Sequence, residues 1–278
     1  MTPLPVEVFW EILKYLKHDH KTLFSCLLTS RKLCEITVPI LWNEPNLESP
    51  KLVRTLISGL GRKEVKTFIP QNQQKPIFNY AQYIKTVSSG LTAGINKLIQ
   101  SEENFKSMYF YDVLYELIKM ILHSSKGLKI LEIDGNERRL NYRFKALITY
   151  ALNKKNALVS LQLLNLSIDD IEEQKELVYA LSNNTTLVSL NLSNNQFGRL
   201  AGTTLAPILL KNKTLTSLNF SNNRRELTIK GVEAFASALS ENKTLRSLTL
   251  SNDSLTREGG IILANALFKN ETLKSLDL

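Results

Sequence analysis

From residue 128 onward, leucines and isoleucines return at fixed intervals. The pattern Leu-x-x-Leu-x-Leu, with Ile or Phe allowed at its last position, starts at Leu128, Leu158, Leu187, Leu215, Leu245 and Leu273. Successive starts lie 30, 29, 28, 30 and 28 residues apart, and a spacing held over six copies marks an array of structural repeats. Inside each copy the fourth and sixth positions alternate with polar residues, which predicts a short strand that buries those two side chains. Six residues before the start sits Leu152, Leu181, Leu209, Leu239 or Leu267, and ten before it sits Ile148, Leu177, Leu205, Phe235 or Leu263. That four-residue step predicts one buried face of a helix. Ala151, Ala180, Ala238 and Ala266 fill the adjacent column, where small side chains allow close packing on the strands. Pro207 falls inside one of these helices, removes a backbone donor, and is expected to kink or shorten it.

Three residues past the last strand leucine stands Asn136, Asn195, Asn223 or Asp253, a residue type able to satisfy turn backbone. Leu166 breaks that column, so its turn is expected to differ. Parallel strands stack ~4.8 Å apart, whereas packed helices need ~8–10 Å. An array with strands on one side and helices on the other must therefore curve, strands inside. The expected fold is α/β, a horseshoe of parallel strands and outer helices over 128–278. The repeats resemble the long, ribonuclease-inhibitor-like class of leucine-rich repeat.

The remaining strand positions face away from the helices. They carry Ser160, Ser189, Ser217, Ser247 and Ser275 in one column and Gln162, Asn191, Asn219, Thr249 and Asp277 in the next, with Arg246 and Lys274 beside them. Two readings stand together: a hydrogen-bonding surface for a protein ligand, or small polar residues that keep an exposed sheet soluble. Such folds commonly bind on the concave side, which favours the first for the face as a whole. Asn-x-Thr sequons at Asn184, Asn212, Asn242 and Asn270 suggest glycosylation. They fall at one repeat position just before the strand, however, so repeat structure accounts for them.

Residues 1–43 have a different pattern. Val8, Phe9, Ile12, Leu13 and Leu16 form a broad apolar surface at helical spacing, with Pro5 suited to the first turn and Glu7 facing the positive end. A second helix carries Leu23, Leu27 and Leu28, and Thr29 or Ser30 is placed to cap a third through Leu33 and Ile36. About forty residues cannot bury this much apolar surface alone. Leu4-Pro5-x-Glu7, then Ile12-Leu13-x-x-Leu16, then Leu41-Trp42 resemble the F-box family, with Cys34 standing where F-boxes often carry Trp. The resemblance implies a three-helix module that docks on a Skp-family adaptor, and through it on cullin and RING subunits. It points to Leu4, Pro5, Val8, Phe9, Ile12, Leu13, Leu16, Leu27 and Leu28 as the adaptor interface. The competing reading packs some of these, Ile12 and Leu16 especially, inside the module.

Residues 44–127 carry helical stretches near Leu52, Ile95 and Val113, a strand candidate near Ile77–Val87, and a polar loop at 71–76. They are expected to be divergent capping repeats, with a plain helical linker as the alternative. Tyr80, Tyr83, Tyr109, Phe110 and Tyr111 suit a core better than a ligand site. The chain stops at Leu278 inside a strand, which suggests a missing C-terminal cap, by truncation or by pairing with another chain.

The chain has 278 residues, 43% hydrophobic and 22% charged, so disordered and collagen-like classes are excluded. The net charge of +9 is spread over both halves, and Arg138-Arg139, Lys154-Lys155 and Arg224-Arg225 are separate pairs rather than one basic patch. Nucleic-acid binding therefore ranks last. The sequence shows neither a membrane span nor a signal peptide, so a cytoplasmic or nuclear protein is expected, with Cys26 and Cys34 reduced. His18, His20 and His123 are too scattered for a metal site, His18 and His20 flanking Asp19 in an expected loop. Asp169-Asp170 and Glu172-Glu173 suit a helix N-terminus. No catalytic constellation, metal or cofactor is expected. With the resemblance, these features imply a non-catalytic substrate-recognition subunit of an SCF-type ubiquitin ligase. The alternative is a ubiquitin-independent repeat scaffold or inhibitor.

Overall fold

A computed structural model describes residues 4–60, 75–102, 109–135, 142–153, 158–168, 170–199, 201–223, 228–251 and 255–278. Asn136, Arg138, Arg139, Lys154, Lys155, Asp169, Arg224, Arg225, Asp253 and most of the 71–76 loop lie outside the described residues. The chain forms two compact units, residues 1–128 and 129–278.

The first unit begins with three helices, α1 (Val6–Tyr15), α2 (His20–Thr29) and α3 (Arg31–Leu41). Pro5 is the N-cap of α1 rather than part of its first turn, and its fixed φ of −58° leads the chain into the helix. Asp19 caps α2, its carboxylate accepting from the Thr22 N–H at 3.0 Å, so His20 opens a helix instead of lying in a loop. Ser30 is the cap of α3, accepting from the Leu33 N–H at 3.2 Å. Leu13, Leu23 and Ile36 form the shared core, with Phe9, Leu16 and Leu33 packed against it.

The unit continues through α4 (Pro50–Ser58), a 3-10 turn at Tyr80–Tyr83, the two-residue strand β1 (Thr86–Val87), α5 (Gly90–Ser101) and α6 (Phe110–Ser124). Trp42, at the end of α3, stacks on Tyr80 with ring centroids 4.4 Å apart. The Lys85 N–H donates to the Asn43 carbonyl at 2.9 Å. Burial raises the Tyr80 phenol above its ordinary range. Phe110 is buried and meets Tyr111 edge-on. These aromatics of the middle region thus take part in packing.

The second unit alternates β2 (Ile130–Asp134), α7 (Tyr142–Asn153), β3 (Ser160–Leu164), α8 (Ile171–Asn183), β4 (Ser189–Asn191), α9 (Ala201–Lys211), β5 (Ser217–Asn219), α10 (Ile229–Glu241), β6 (Ser247–Thr249), α11 (Arg257–Lys269) and β7 (Ser275–Asp277). Among the described residues its strands β2 to β7 are parallel and lie side by side in chain order. Leu161, Leu190, Leu218, Leu248 and Leu276 share one register row, and the first four are fully buried. Helix α9 runs through Pro207 to Lys211 and has 11 residues, against 13 in α8, α10 and α11.

The helices approach closely where glycines meet. A Cβ on Gly202 would lie 2.1 Å from the Gly231 carbonyl oxygen, so only glycine lets α9 and α10 approach at this point. Helix starts are capped in register by Asp170, Thr228 and Thr256. After β3 the turn keeps the backbone of its successor: Asn165 and Ser167 have positive φ, as Asn194 and Gln196 do one repeat later. What differs is that β3 is two residues longer than β4, and that Leu166 is buried where Asn195 hydrogen-bonds.

Candidate functional site

Helix α1 divides into faces. Phe9, Leu13 and Leu16 turn into the three-helix core, Leu13 being 4% exposed. Leu13 is therefore a packing residue here, and any part it plays in an interface is indirect. Leu4, Pro5, Val8 and Ile12 are exposed, Ile12 by 49%. The competing reading that packs Ile12 inside the module does not hold, since its side chain lies at the surface. Leu16 and Leu27 are half-buried, and Leu28 is exposed.

Sequence reading passed over Val6 and Phe24, which are also uncovered, Phe24 by 59%. Phe24 and Leu28 are four apart on α2 and so form a second apolar row. The signal for Phe24 was that same spacing from Leu28. Burying even one such side chain is worth roughly 1.5–3 kcal/mol. A module that leaves Leu4, Val8, Ile12, Phe24 and Leu28 in water presents a surface suited to an apolar partner.

The second surface is the strand face of the repeats. Ser160, Ser189, Ser217, Ser247 and Ser275 form one register row, and Gln162, Asn191, Asn219, Thr249 and Asp277 the next. The row extends to Glu132 in β2, which pairs with Gln162 and was not singled out from sequence because its copy is the most divergent. Arg246 and Lys274 are exposed just before their strands, and the Lys274 N–H donates to the Arg246 carbonyl at 2.8 Å.

The asparagines on this face are partly committed. Asn191 Oδ1 accepts from the Ser193 N–H at 3.0 Å, and Asn219 Oδ1 accepts from the Ser221 N–H at 3.0 Å and its hydroxyl at 2.7 Å. Their Nδ2 groups, with the side chains of Ser160, Gln162, Ser189, Ser217, Ser247 and Thr249, have no partner among the described residues. The middle of the face is thus an uncharged surface with amide and hydroxyl donors to spare. That chemistry suits a polar protein surface or an extended main chain.

Reactive groupings are sparse among the described residues. No three His, Cys, Asp or Glu side chains come together in a metal-binding cluster there. Cys26 and Cys34 are free, half-buried thiols in α2 and α3. The Asp19 carboxyl is held below its ordinary range, first by the hydrogen bond from the Thr22 hydroxyl, as a cap would be. No helix among the described residues is long and apolar enough to cross a membrane.

The F-box-like family matches residues 1–48, and the Leucine Rich repeat family matches 183–206 and 211–236. No curated protein matches the chain. Among solved structures, the Leiomodin-1 Actin-Binding Site 2 (ABS2) is similar at 24% identity, over 50% of this chain and 80% of that chain, with a TM-score of 0.43. The chain joins an F-box-like domain to leucine-rich repeats, the domain pair of the F-box/leucine-rich-repeat proteins.

Proposed function

We propose that this protein is the substrate-recognition subunit of an SCF-type cullin-RING ubiquitin ligase. The supporting observation is the apolar row Leu4, Val8 and Ile12 on a module that already has its own core in Leu13, Leu23 and Ile36. F-box domains in general bind Skp-family adaptors, and this row, with Phe24 and Leu28, is the surface offered to one. The adaptor links the chain to the cullin and RING subunits.

The strand face of the repeats holds the target protein by hydrogen bonds from the Ser and Asn/Gln/Thr rows. The chain supplies binding energy and geometry rather than an acid, base or nucleophile. Holding a target lysine near a charged ubiquitin-conjugating enzyme raises its effective concentration, typically into the millimolar range for flexible tethers.

The test is co-purification of the full chain with a Skp-family adaptor. Wild type is compared with Leu4→Ala/Pro5→Ala and with Ile12→Glu, with circular dichroism to check folding. Stoichiometric capture by wild type, lost in folded variants, is the expected result. Folded wild type that captures no adaptor overturns the reading and leaves a ubiquitin-independent repeat scaffold or inhibitor.

A further inference from the structure

A cleft of about 720 Å³ opens in the first unit beside the C-terminal half of α1. Its walls are apolar and aromatic, with Trp10, Tyr15, Ile40 and Tyr83 among them, and four lysines line it: Lys14, Lys17, Lys85 and Lys126. The one carboxylate in the lining, Glu11, is paired with Lys14 at 2.7 Å. Lys14 Nζ also lies 5.7 Å from the centre of the Trp10 ring. Lys17, Lys85 and Lys126 are exposed and have no carboxylate partner among the described residues. The cleft is therefore an apolar trough with three uncompensated positive charges around it.

The inner wall of the cleft lies away from the row offered to the adaptor, whereas its rim at Tyr15, seven residues past Val8 and so about 20° from it around the helix, borders that row. Trp10 and Lys14 each stand two residues past Val8 and Ile12, which at 3.6 residues per turn is about 200° around the helix.

We propose that this cleft binds an acidic peptide segment that carries an apolar anchor residue. The size suits an anchored ligand, since such sites run about 300–1,000 Å³. The charges are lysines throughout, on segments before and after the 3-10 turn as well as on α1, with no arginine fork in the lining. Lysine acts as a point charge and suits carboxylates spread along a chain, whereas compact phosphate is better gripped bidentately by arginine. The aromatic and aliphatic walls take the anchor side chain, and Tyr15, 89% exposed, is placed to close over it. This site borders the adaptor-facing row at Tyr15, but the argument for it does not depend on the proposed function.

The test is fluorescence anisotropy on the full chain with a fluorescein-labelled peptide that has glutamates on both sides of one phenylalanine. Saturable binding is expected, weakened about tenfold or more by Lys85→Glu/Lys126→Glu. It should also weaken with Tyr15→Ala, and it should be absent for the same peptide with glutamine in place of glutamate. All these side chains are exposed, and circular dichroism checks that the variants fold. No saturable binding, equal binding of the glutamine peptide, or binding indifferent to the variants overturns the proposal. So does calorimetric binding of inorganic tripolyphosphate that is tighter than the peptide and unaffected by Tyr15→Ala, since that is the behaviour of a small-phosphate site.

Discussion

The side-chain amide of Asn212 donates to the main-chain carbonyl of Leu181, one repeat upstream, at 2.8 Å. Leu181 lies in the last turn of α8, where carbonyls have no partner within the helix. The same amide reaches the Asn184 carbonyl at 3.0 Å, while its oxygen accepts from the Thr214 and Leu215 N–H groups at 2.9 and 2.8 Å. Asn184, Asn242 and Asn270 repeat this arrangement against Leu152, Leu209 and Leu239. The sequon asparagines are structural pins between repeats, and Asn212 is 2% exposed. A glycan there is incompatible with this fold.

Asn212→Ala removes five hydrogen bonds, one of them from the Thr214 hydroxyl, and leaves the buried Leu215 N–H without a partner. A buried orphan costs about 1–3 kcal/mol beyond the lost bonds. The expected destabilisation is roughly 2–4 kcal/mol in urea denaturation. Asn183→Ala, on the exposed face of α8, should cost under about 0.5 kcal/mol and serves as the control.

Gly202→Ala tests the close approach of α9 and α10. The new methyl would fall 2.1 Å from the Gly231 oxygen, which is backbone and cannot rotate away. Helices α9 and α10 must separate, at an expected cost of about 3 kcal/mol or more. Nothing lies within 4 Å of a Cβ placed on Gly260 in α11. Gly260→Ala should therefore be neutral or stabilise by about 0.5–1 kcal/mol. Equal midpoints for the two variants would refute the close-contact account.

The repeats were legible because each leucine column serves one purpose in every copy. Leu190 and Leu218 are buried in register, and the serine rows face away from them, as alternation requires. The inter-repeat pins were visible only as sequons, because sequence shows spacing and not which carbonyl an amide reaches. On α1 the apolar set was legible but its division was not. Val8, Phe9, Ile12, Leu13 and Leu16 spread over about 140° of the helix circumference, and only packing against α2 and α3 decides that Leu13 is buried and Ile12 is not. The basic cleft was hidden because its lysines come from segments far apart in sequence.

Asp19 gives the first helix pair a dependence on acid. Its folded-state pKa is lowered from the ordinary 3.8, first by the Thr22 hydroxyl and then by the Thr22 N–H. The cap's contribution is therefore full above the unfolded value and is lost as pH falls through the lower folded value. Asp19→Ala should destabilise the chain at pH 7. The gap between wild type and variant should close as pH drops below 3.8. A gap that stays constant through that range would show that the carboxylate's charge is not what caps α2.

Neighbouring residues on α1 offer the sharpest separation of folding from binding. Leu13 is 4% exposed in the core with Leu23 and Ile36, whereas Ile12 is 49% exposed. Leu13→Ala opens a cavity and should cost about 2–5 kcal/mol. Ile12→Ala removes exposed surface only and should change stability by under about 0.5 kcal/mol. If Ile12 meets an adaptor, its truncation instead weakens capture by about tenfold or more, since interface anchors commonly cost above 1 kcal/mol when cut back. Denaturation midpoints and adaptor affinity should therefore move oppositely for the pair: Leu13→Ala lowers the midpoint, and Ile12→Ala lowers the affinity at an unchanged midpoint. A large midpoint loss for Ile12→Ala would place that side chain in the core after all and remove it from the docking surface.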